Sequence, residues 1–407
     1  MTLKILLLTS EFSPAMGGIG TYAREIAAAA TTLGAEITVV APNYERDHTF
    51  NDRTSPFRIR RFRGGLHSRR DLPAKIRLAR DQVPVDSYDV VHAADWPFFI
   101  PAALSRRRTP ARFIVTVHGT EINETQTRLK RLAIKATNVF GKRTEVVANS
   151  RYTRDLFQQR FSIDPKRIRA IRLGVSSFWF GPRAARDAVR QAHGLADDKI
   201  VMVSVARLTR RKGHHMTIAA LARLPSDVRR RLVWLIVGPP GEADHVDELH
   251  RLAANADCDI HMLGPLPDHD IRDLYGASDF FCLTGVPDTS GRVEGFGLVY
   301  LEAAAVGLPS VATAIGGVPD AVVADKTGTL VEPSVEAIAH AVERMVTERD
   351  LRARMAEHAL THAHTLSWER CAAETYGLPY LTERNNAQQM EIPLQAGSER
   401  LQLSAGS

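Results

Sequence analysis

The feature that most constrains how this chain can fold is an alternation of short β-rich runs with helical segments, repeated in two series. The first series begins with KILLLTS and EITVVAP, and the second begins with KIVMVSVARL and LVWLIVGPP. Such alternation is typical of a parallel sheet covered by helices. Open α/β sheets bind ligands beyond the carboxyl ends of their strands. We therefore predict an α/β protein of two doubly wound domains with a ligand site in the cleft between them.

The boundaries of these domains follow from breaks in the pattern. Glycine, proline and aromatic residues interrupt the strand signal in LGVSSFWFGPRAARDA, which separates an N-terminal domain over 1–178 from a C-terminal domain over 179–365. A helix is expected over 366–381. The tail over 382–407 is polar and without periodicity, so it is predicted to be disordered.

Charge is distributed unevenly along the chain. Residues 1–178 contain 30 Lys and Arg against 16 Asp and Glu, whereas the remainder contains 23 against 30. Much of the basic excess lies in 58–80 and 105–108. Such a surface attracts an anionic membrane or a lipid-phosphate acceptor, or it is only a solvated basic face, and both alternatives stay open. Nucleic acid is not expected as a partner, because no nucleic-acid-binding module accompanies the charge.

Hydropathy and cysteine content indicate a cytoplasmic protein, with a peripheral position at the inner face of the membrane as a second option. No apolar run reaches the roughly 18 residues of a membrane span, and the first residues lack the three parts of a signal peptide. Cys258, Cys282 and Cys371 are too widely spaced for a disulfide framework or a zinc site.

A glycine-rich stretch, PAMGGIGTYAREIA, follows the first predicted strand. Gly18 and Gly20 have the spacing of a dinucleotide-binding fingerprint, which would suit an NAD-dependent oxidoreductase. Two features oppose that reading, since EFSPAM separates the strand from the glycines and the second strand ends in APN with no acid. We expect Gly17 and Gly18 to let a phosphate group of a ligand other than NAD approach the N-terminus of the next helix. The simpler alternative is that these glycines form only a flexible turn.

Two motifs in the second half have the chemistry to hold a nucleotide diphosphate. Arg207 and Lys212 lie in VARLTRRKG, where a guanidinium and an ammonium can together neutralise a diphosphate. Glu294 and Glu302 are eight positions apart in EGFGLVYLE, and a carboxylate at the second position can accept two ribose hydroxyls. Taken alone, the first motif is also compatible with an ordinary basic loop and the second with a solvated helix face.

Taken in order, the motifs resemble those of family 4 glycosyltransferases of the GT-B fold, in which two Rossmann-like domains face each other across a cleft. The resemblance runs from Lys4 to about Tyr380 and includes HGTE, ANSRYTRDLF, VARLTRRKG, EGFGLVYLEA and GLPSVATAIGGVPDAV. The stretch VPDTSGRVEGFGLVYLEA is similar to bacterial lipid mannosyltransferases that act on phosphatidylinositol mannosides. The family implies a retaining hexosyltransferase whose final helix, over 366–381, crosses back to an acceptor-binding N-terminal domain.

The resemblance also implies roles for matching residues. The implied catalytic residues are His118, Arg207, Lys212 and Glu294. The implied nucleotide-sugar-binding residues are Gly17, Gly18, Arg207, Lys212, Leu263, Gly264, Glu294, Gly295, Phe296, Gly297, Leu298 and Glu302. No cofactor and no protein-held metal are expected, and the partners are a UDP- or GDP-sugar donor and a glycan or lipid-linked acceptor. The sequence leaves open the choice between UDP and GDP. A non-catalytic homologue acting as a partner protein is the alternative from another class.

Overall fold

The computed structural model describes residues 2–14, 17–44, 52–64, 71–83, 88–119, 122 and 127–380. The strands in these ranges are β1 (Lys4–Leu8), β2 (Glu36–Pro42), β3 (Arg58–Phe62), β4 (Val90–Ala93), β5 (Arg112–Val117), β6 (Thr144–Ala148), β7 (Ile168–Ala170), β8 (Ile200–Val205), β9 (Leu232–Val237), β10 (Asp259–Gly264), β11 (Phe280–Leu283), β12 (Ser310–Thr313) and β13 (Gly328–Val331). The α-helices are α1 (Gly18–Thr32), α2 (Leu72–Gln82), α3 (Phe99–Ser105), α4 (Arg128–Thr137), α5 (Arg151–Arg160), α6 (Arg186–Ala192), α7 (His214–Leu221), α8 (Ser226–Arg231), α9 (Ala243–Ala254), α10 (Asp268–Ala277), α11 (Leu298–Ala305), α12 (Val318–Ala321), α13 (Val335–Thr347), α14 (Arg349–Thr365) and α15 (Trp368–Tyr376). The tail predicted over 382–407 lies outside the described residues.

The strands form two parallel sheets, which confirms the predicted pair of doubly wound domains. The first sheet has the order β3-β2-β1-β4-β5-β6-β7, and the second has the order β10-β9-β8-β11-β12-β13. Chain order reverses between β1 and β4 in the first sheet and between β8 and β11 in the second. At such a reversal the connecting helices leave on opposite faces, and a crevice opens beyond the carboxyl ends of the strands.

Apolar sequence places the central strands in the cores of the two sheets. Ile5 to Leu8 in β1 and all of β9 are buried, as expected for strands covered by helices on both faces. Helix α1 presents Tyr22, Ala23, Ile26 and Ala27 at helical spacing to the same core. Within the described residues, no helix combines the length and apolar character needed to cross a membrane.

The last helix, α15, packs against α1 although it follows the second sheet in the chain. The Trp368 ring lies 6.0 Å from the Tyr22 ring, and the Tyr376 hydroxyl is hydrogen bonded to His92 Nδ1 at 2.9 Å. His92 Nε2 lies 2.8 Å from Thr116 Oγ1. Burial, with a smaller effect from His118, lowers the pKa of His92 to about 3, so this bonded ring is neutral. The end of α15 is thereby tied to the centre of the first sheet.

Candidate functional site

The crevice of the second sheet contains the two charged motifs that the sequence singled out. Arg207 lies in the loop after β8 and is exposed, and the described residues offer it no ion pair. Lys212 ends a short 3₁₀ turn that begins at Arg210, directly before α7. Glu294 follows β11, the strand next to β8. Sheet order therefore brings positions 207, 212 and 294 to one crevice, although more than 80 residues separate the first from the last.

An ion pair joins the two motifs. Lys212 Nζ donates to Glu294 Oε2 at 2.5 Å, and Arg211 Nη1 lies 3.6 Å from the same oxygen. Burial raises the pKa of Glu294, but the charges of Lys212 and Arg211 and the donated hydrogen bonds outweigh it and hold that pKa below its usual value. Glu294 is thus an ionised, hydrogen-bonded acceptor and a weak proton donor near neutral pH. Arg211 was not among the predicted site residues, although it adjoins Lys212 in TRRKG.

A glycine-containing loop leads from Glu294 into α11. Phe296 is buried and anchors the loop, while Gly297 precedes the first helical residue, Leu298. The first backbone N–H groups of a helix have no partner within it, so this loop offers donors to an anion or a sugar hydroxyl. Glu302 lies one turn further along α11 and is partly exposed.

Glu302 has an unusual protonation equilibrium. Burial, and then the negative charges of Asp268 and Glu25, raise the pKa of Glu302 to about 8. Asp268 begins α10 in the second domain, whereas Glu25 belongs to α1 in the first. A group that donates to Glu302 and favours its carboxylate form, such as a ribose diol, would shift this equilibrium toward ionisation. The influence of Glu25 was not predicted, because it depends on how the two domains face each other.

The predicted base-binding positions lie at the edge of the second sheet. Leu263 and Gly264 end β10, which is the outer strand beside β9. The Gly264 carbonyl accepts from the Gly238 N–H at 2.9 Å. Adjacent strands are about 4.8 Å apart, so β10 runs roughly 10 Å from β8, the strand that leads into the charged loop. That span is comparable with the distance from the diphosphate to the base of an extended nucleotide.

His118 faces the crevice from the first domain, at the carboxyl end of β5. It is 8% exposed, its Nε2 is hydrogen bonded to the Ala94 carbonyl at 2.8 Å, and its ring packs edge-on to Tyr22 at 4.9 Å. A carbonyl only accepts, so the proton of the neutral ring resides on Nε2. The sequence could not distinguish a core histidine from a site residue here. In the structure His118 is buried like a core residue, yet it lies at the carboxyl end of β5, where ligands of such sheets bind.

The Gly17–Gly18 loop has a neighbour that sequence reasoning missed. The carboxylate of Glu11 lies against it, so that a Cβ on Gly17 would be 1.9 Å from Glu11 Oε1. The same oxygen accepts from the Gly20 N–H at 3.3 Å, at the N-terminus of α1. This carboxylate thus accepts from one N–H group of the same helix N-terminus that the sequence assigned to a phosphate. Its only sequence signal was an acid close behind the first strand.

The structure joins part of the predicted site across the domain boundary. A Cβ on Gly295 would lie 2.0 Å from the His118 carbonyl oxygen, so these two backbones are in direct contact. His118, Lys212, Glu294 and Gly295 therefore form one continuous group. Gly17 lies against the Glu11 carboxylate, whereas among the described residues a Cβ on Gly18 would meet no heavy atom within 4 Å. Leu263 and Gly264 lie at the sheet edge. In the described residues, no group of three or more His, Cys, Asp or Glu side chains is arranged to hold a metal ion.

Two family profiles match the chain. Residues 16–177 match Glycosyltransferase Family 4, and residues 185–362 match Glycosyl transferases group 1. The chain is 30% identical to a GDP-mannose-dependent alpha-(1-6)-phosphatidylinositol monomannoside mannosyltransferase of Mycolicibacterium smegmatis, over 84% of this chain and 89% of the relative. It is also 30% identical to a D-inositol 3-phosphate glycosyltransferase of Stackebrandtia nassauensis, over 76% and 73% respectively.

Solved structures share the architecture at lower identity. The Anabaena protein Alr3699/HepE, solved in complex with UDP and glucose, superposes with a TM-score of 0.72 at 21% identity, over 91% of this chain and 98% of that one. WaaG, a glycosyltransferase involved in lipopolysaccharide biosynthesis, superposes with a TM-score of 0.66 at 20% identity, over 92% and 100%.

Proposed function

Because this chain belongs to the glycosyltransferases of group 1 and family 4, as its motifs predicted, we propose that it transfers a hexose from a nucleotide-diphosphate sugar to a lipid-linked glycan acceptor. The favoured hexose is mannose, and the proposed transfer retains the configuration of the anomeric carbon. The GT-B prediction is confirmed by the two facing parallel sheets and by the solved neighbours. GDP-mannose is the favoured donor, because relatives that match most of the chain are named as GDP-mannose-dependent.

The proposal rests on the Lys212–Glu294 ion pair, which lies on a loop whose next residue, Gly295, is in contact with the His118 backbone. Lys212 has three N–H donors and uses one on Glu294, so it can also bind phosphate oxygens. Arg207 supplies a second positive charge at the same loop. These cations can neutralise a diphosphate without a protein-held metal, while the Glu294 carboxylate and the loop amides bind sugar hydroxyls.

In the proposed reaction, the bond between the anomeric carbon and the diphosphate oxygen breaks as positive charge develops on the sugar ring. Lys212 and Arg207 stabilise the negative charge that develops on the departing diphosphate. The acceptor hydroxyl forms the new bond on the same face, and its proton passes to an oxygen of the diphosphate. Glu294 is ion-paired with Lys212, which makes its carboxylate a weak nucleophile, so no covalent sugar–enzyme intermediate is proposed.

Thermal unfolding with GDP, UDP, ADP and NAD tests the donor assignment. We expect GDP to stabilise the protein, because a ligand at 100 times its dissociation constant adds about 2.7 kcal/mol to the free energy of unfolding. GDP-mannose should then be consumed in the presence of a phosphatidylinositol mannoside acceptor. Stabilisation by UDP alone would replace mannose with a UDP-hexose donor. Stabilisation by none of the three nucleoside diphosphates would favour the non-catalytic alternative, and stabilisation by NAD alone would favour an oxidoreductase.

We further propose that the first domain contacts an anionic membrane surface peripherally. Helix α4 has only Ile134 buried, whereas Leu129 and Leu132 are 77% and 62% exposed. Arg128, Lys130, Arg131 and Lys135 share this short helix, which contains no acid. Exposed leucines among cations suit insertion at the boundary of headgroups and acyl chains. The basic segment over 58–80 adds charge, although its residues 65–70 lie outside the described residues.

Replacing Leu129 and Leu132 together with serine should lower binding to anionic vesicles by about 10-fold, because apolar area no longer enters the membrane. Cosedimentation with vesicles of 30% and 0% phosphatidylinositol measures this. Wild-type binding should also weaken between 0.05 and 0.5 M salt, as screening shortens the reach of the cations. Leu252→Ser is the matched control, since Leu252 is also exposed but belongs to the second domain. Equal loss in the control and the double variant would argue against α4 as the membrane contact.

A further inference from the structure

A buried carboxylate of the second domain binds the N-terminus of a helix in the first domain. Asp320, in α12, is 5% exposed. Its Oδ2 accepts from the backbone N–H of Arg151 at 2.6 Å, and its Oδ1 accepts from Arg151 Nε at 2.6 Å. Arg151 is the first residue of α5, where backbone N–H groups lack partners within the helix and the helix dipole favours an anion. Both hydrogen bonds to Asp320 are therefore charge-assisted, and both cross between the domains.

The residue before α12, Gly317, is also hydrogen bonded to the backbone of the loop that runs from Glu294 to Gly297. The Gly317 N–H, immediately before α12, donates to the Glu294 carbonyl at 2.9 Å. A Cβ on Gly317 would lie 1.8 Å from the Gly295 carbonyl oxygen and 2.8 Å from Ser150 Oγ. A side chain at Gly317 would thus clash with the Gly295 backbone inside the second domain and would also press on the Ser150 hydroxyl of the first domain. Position 317 touches both the Glu294 loop and the residue that caps α5.

A short connected path therefore runs between the domains. It leads from the α5 N-terminus through Asp320 to Gly317, and from there to the Glu294 and Gly295 backbone. Gly295 in turn lies against the carbonyl of His118, to which Asn149 Nδ2 donates at 3.2 Å. Each step is a hydrogen bond or a direct contact, so displacement of α12 from α5 would move Glu294 and Gly295 away from His118.

We propose that Asp320 is a positioning residue: by binding the α5 N-terminus it holds the domains together so that the Glu294–Gly295 loop is seated against His118. The expected effect on kcat rests on the proposed transfer reaction, whereas the expected effect on how the domains are held together does not. The proposed phosphate, ribose and base contacts at Arg207, Lys212, Glu302 and Leu263 all belong to the second domain. Loss of the Asp320 contact should therefore spare nucleotide binding and impair transfer.

Asp320→Ala is the first test. We expect kcat for sugar transfer to fall about 10- to 100-fold, while the dissociation constant for GDP changes less than threefold. Asp320→Glu should recover part of the loss, because a carboxylate can still reach the helix amides. Arg151→Ala should have a smaller effect, since the backbone N–H bond remains. Asp198→Asn, an exposed acid of the second domain, is the matched control and should behave as wild type.

Small-angle scattering separates this inference from the proposed reaction. Asp320→Ala should have a larger radius of gyration than wild type, with an unfolding temperature that remains within a few degrees. An unchanged radius together with unchanged kcat would overturn the role of Asp320. A parallel loss of GDP affinity and thermal stability would show a merely structural role. If wild type transfers no sugar but the variant still expands, the positioning contact stands and the proposed reaction fails.

Discussion

Replacing Lys212 with alanine is expected to lower kcat for sugar transfer by about 100- to 1000-fold, the loss usually seen when a preorganised charge is removed from an active site. Two effects act together. The departing diphosphate loses a cation at the crevice, and among the described residues Glu294 keeps only the more distant Arg211 as a positive partner, at 3.6 Å. GDP binding should weaken less, by about 10-fold, because Arg207 and the loop amides remain. Steady-state kinetics and calorimetry measure the two quantities.

A pH profile identifies the source of this loss. The pKa of Glu294 is low because Lys212 and Arg211 oppose the effect of burial, so removing Lys212 should raise it. The acid limb of the kcat profile should then move to higher pH in the variant. Lys326→Ala is the matched control, because Lys326 is an exposed lysine of the second domain for which the described residues show no ion pair. Near-normal activity of Lys212→Ala would refute the assignment of Lys212.

The architecture was predictable because strand signals are local. Continuous apolar runs such as those of β1 and β9 are buried on both faces, so each is visible in a few residues of sequence. The doubly wound class could be predicted, but the order of the strands within each sheet was not visible, and that order decides which loops meet. Lys212 and Glu294 could be suspected separately from their residue types, whereas their ion pair depends on β8 and β11 being neighbours.

Features formed by the two domains together were beyond reach of the sequence. Asp320 and Arg151 are 169 positions apart, and neither stands out in a motif by its charge alone. Glu11 looked like an ordinary loop residue, although its carboxylate lies at the N-terminus of α1. Glu25 affects Glu302 only because α1 of one domain faces α10 and α11 of the other. The Asp320 and Glu25 effects come from domain placement, which no local pattern encodes, whereas the Glu11 contact arises within the first domain, from the course of the loop between β1 and α1.

Donor affinity is expected to rise with pH up to about 8 and to level off above it. Free Glu302 has a pKa of about 8, and the proposed ribose contact requires its carboxylate, so binding must release a proton below that pH. For one linked proton, the dissociation constant for GDP should fall by up to about 10-fold per pH unit below 8. Glu302→Gln should abolish this dependence and weaken binding at pH 8.5 by roughly 10-fold, since an amide replaces a charged acceptor.

The stability of the ligand-free protein should change in the opposite sense. A carboxyl whose pKa is raised on folding binds more protons in the folded state than in the unfolded state, so its contribution to stability is lost as pH rises from about 4.5 to about 8. Glu302→Gln removes this loss, and its unfolding temperature should exceed that of wild type by more at pH 8 than at pH 5. Glu357→Gln, at an exposed position of α14, should show neither effect. If GDP binding by Glu302→Gln kept the wild-type pH dependence, another group would carry the linked proton. A variant both more stable and weaker in binding would show that Glu302 lowers the stability of the free protein while it strengthens donor binding.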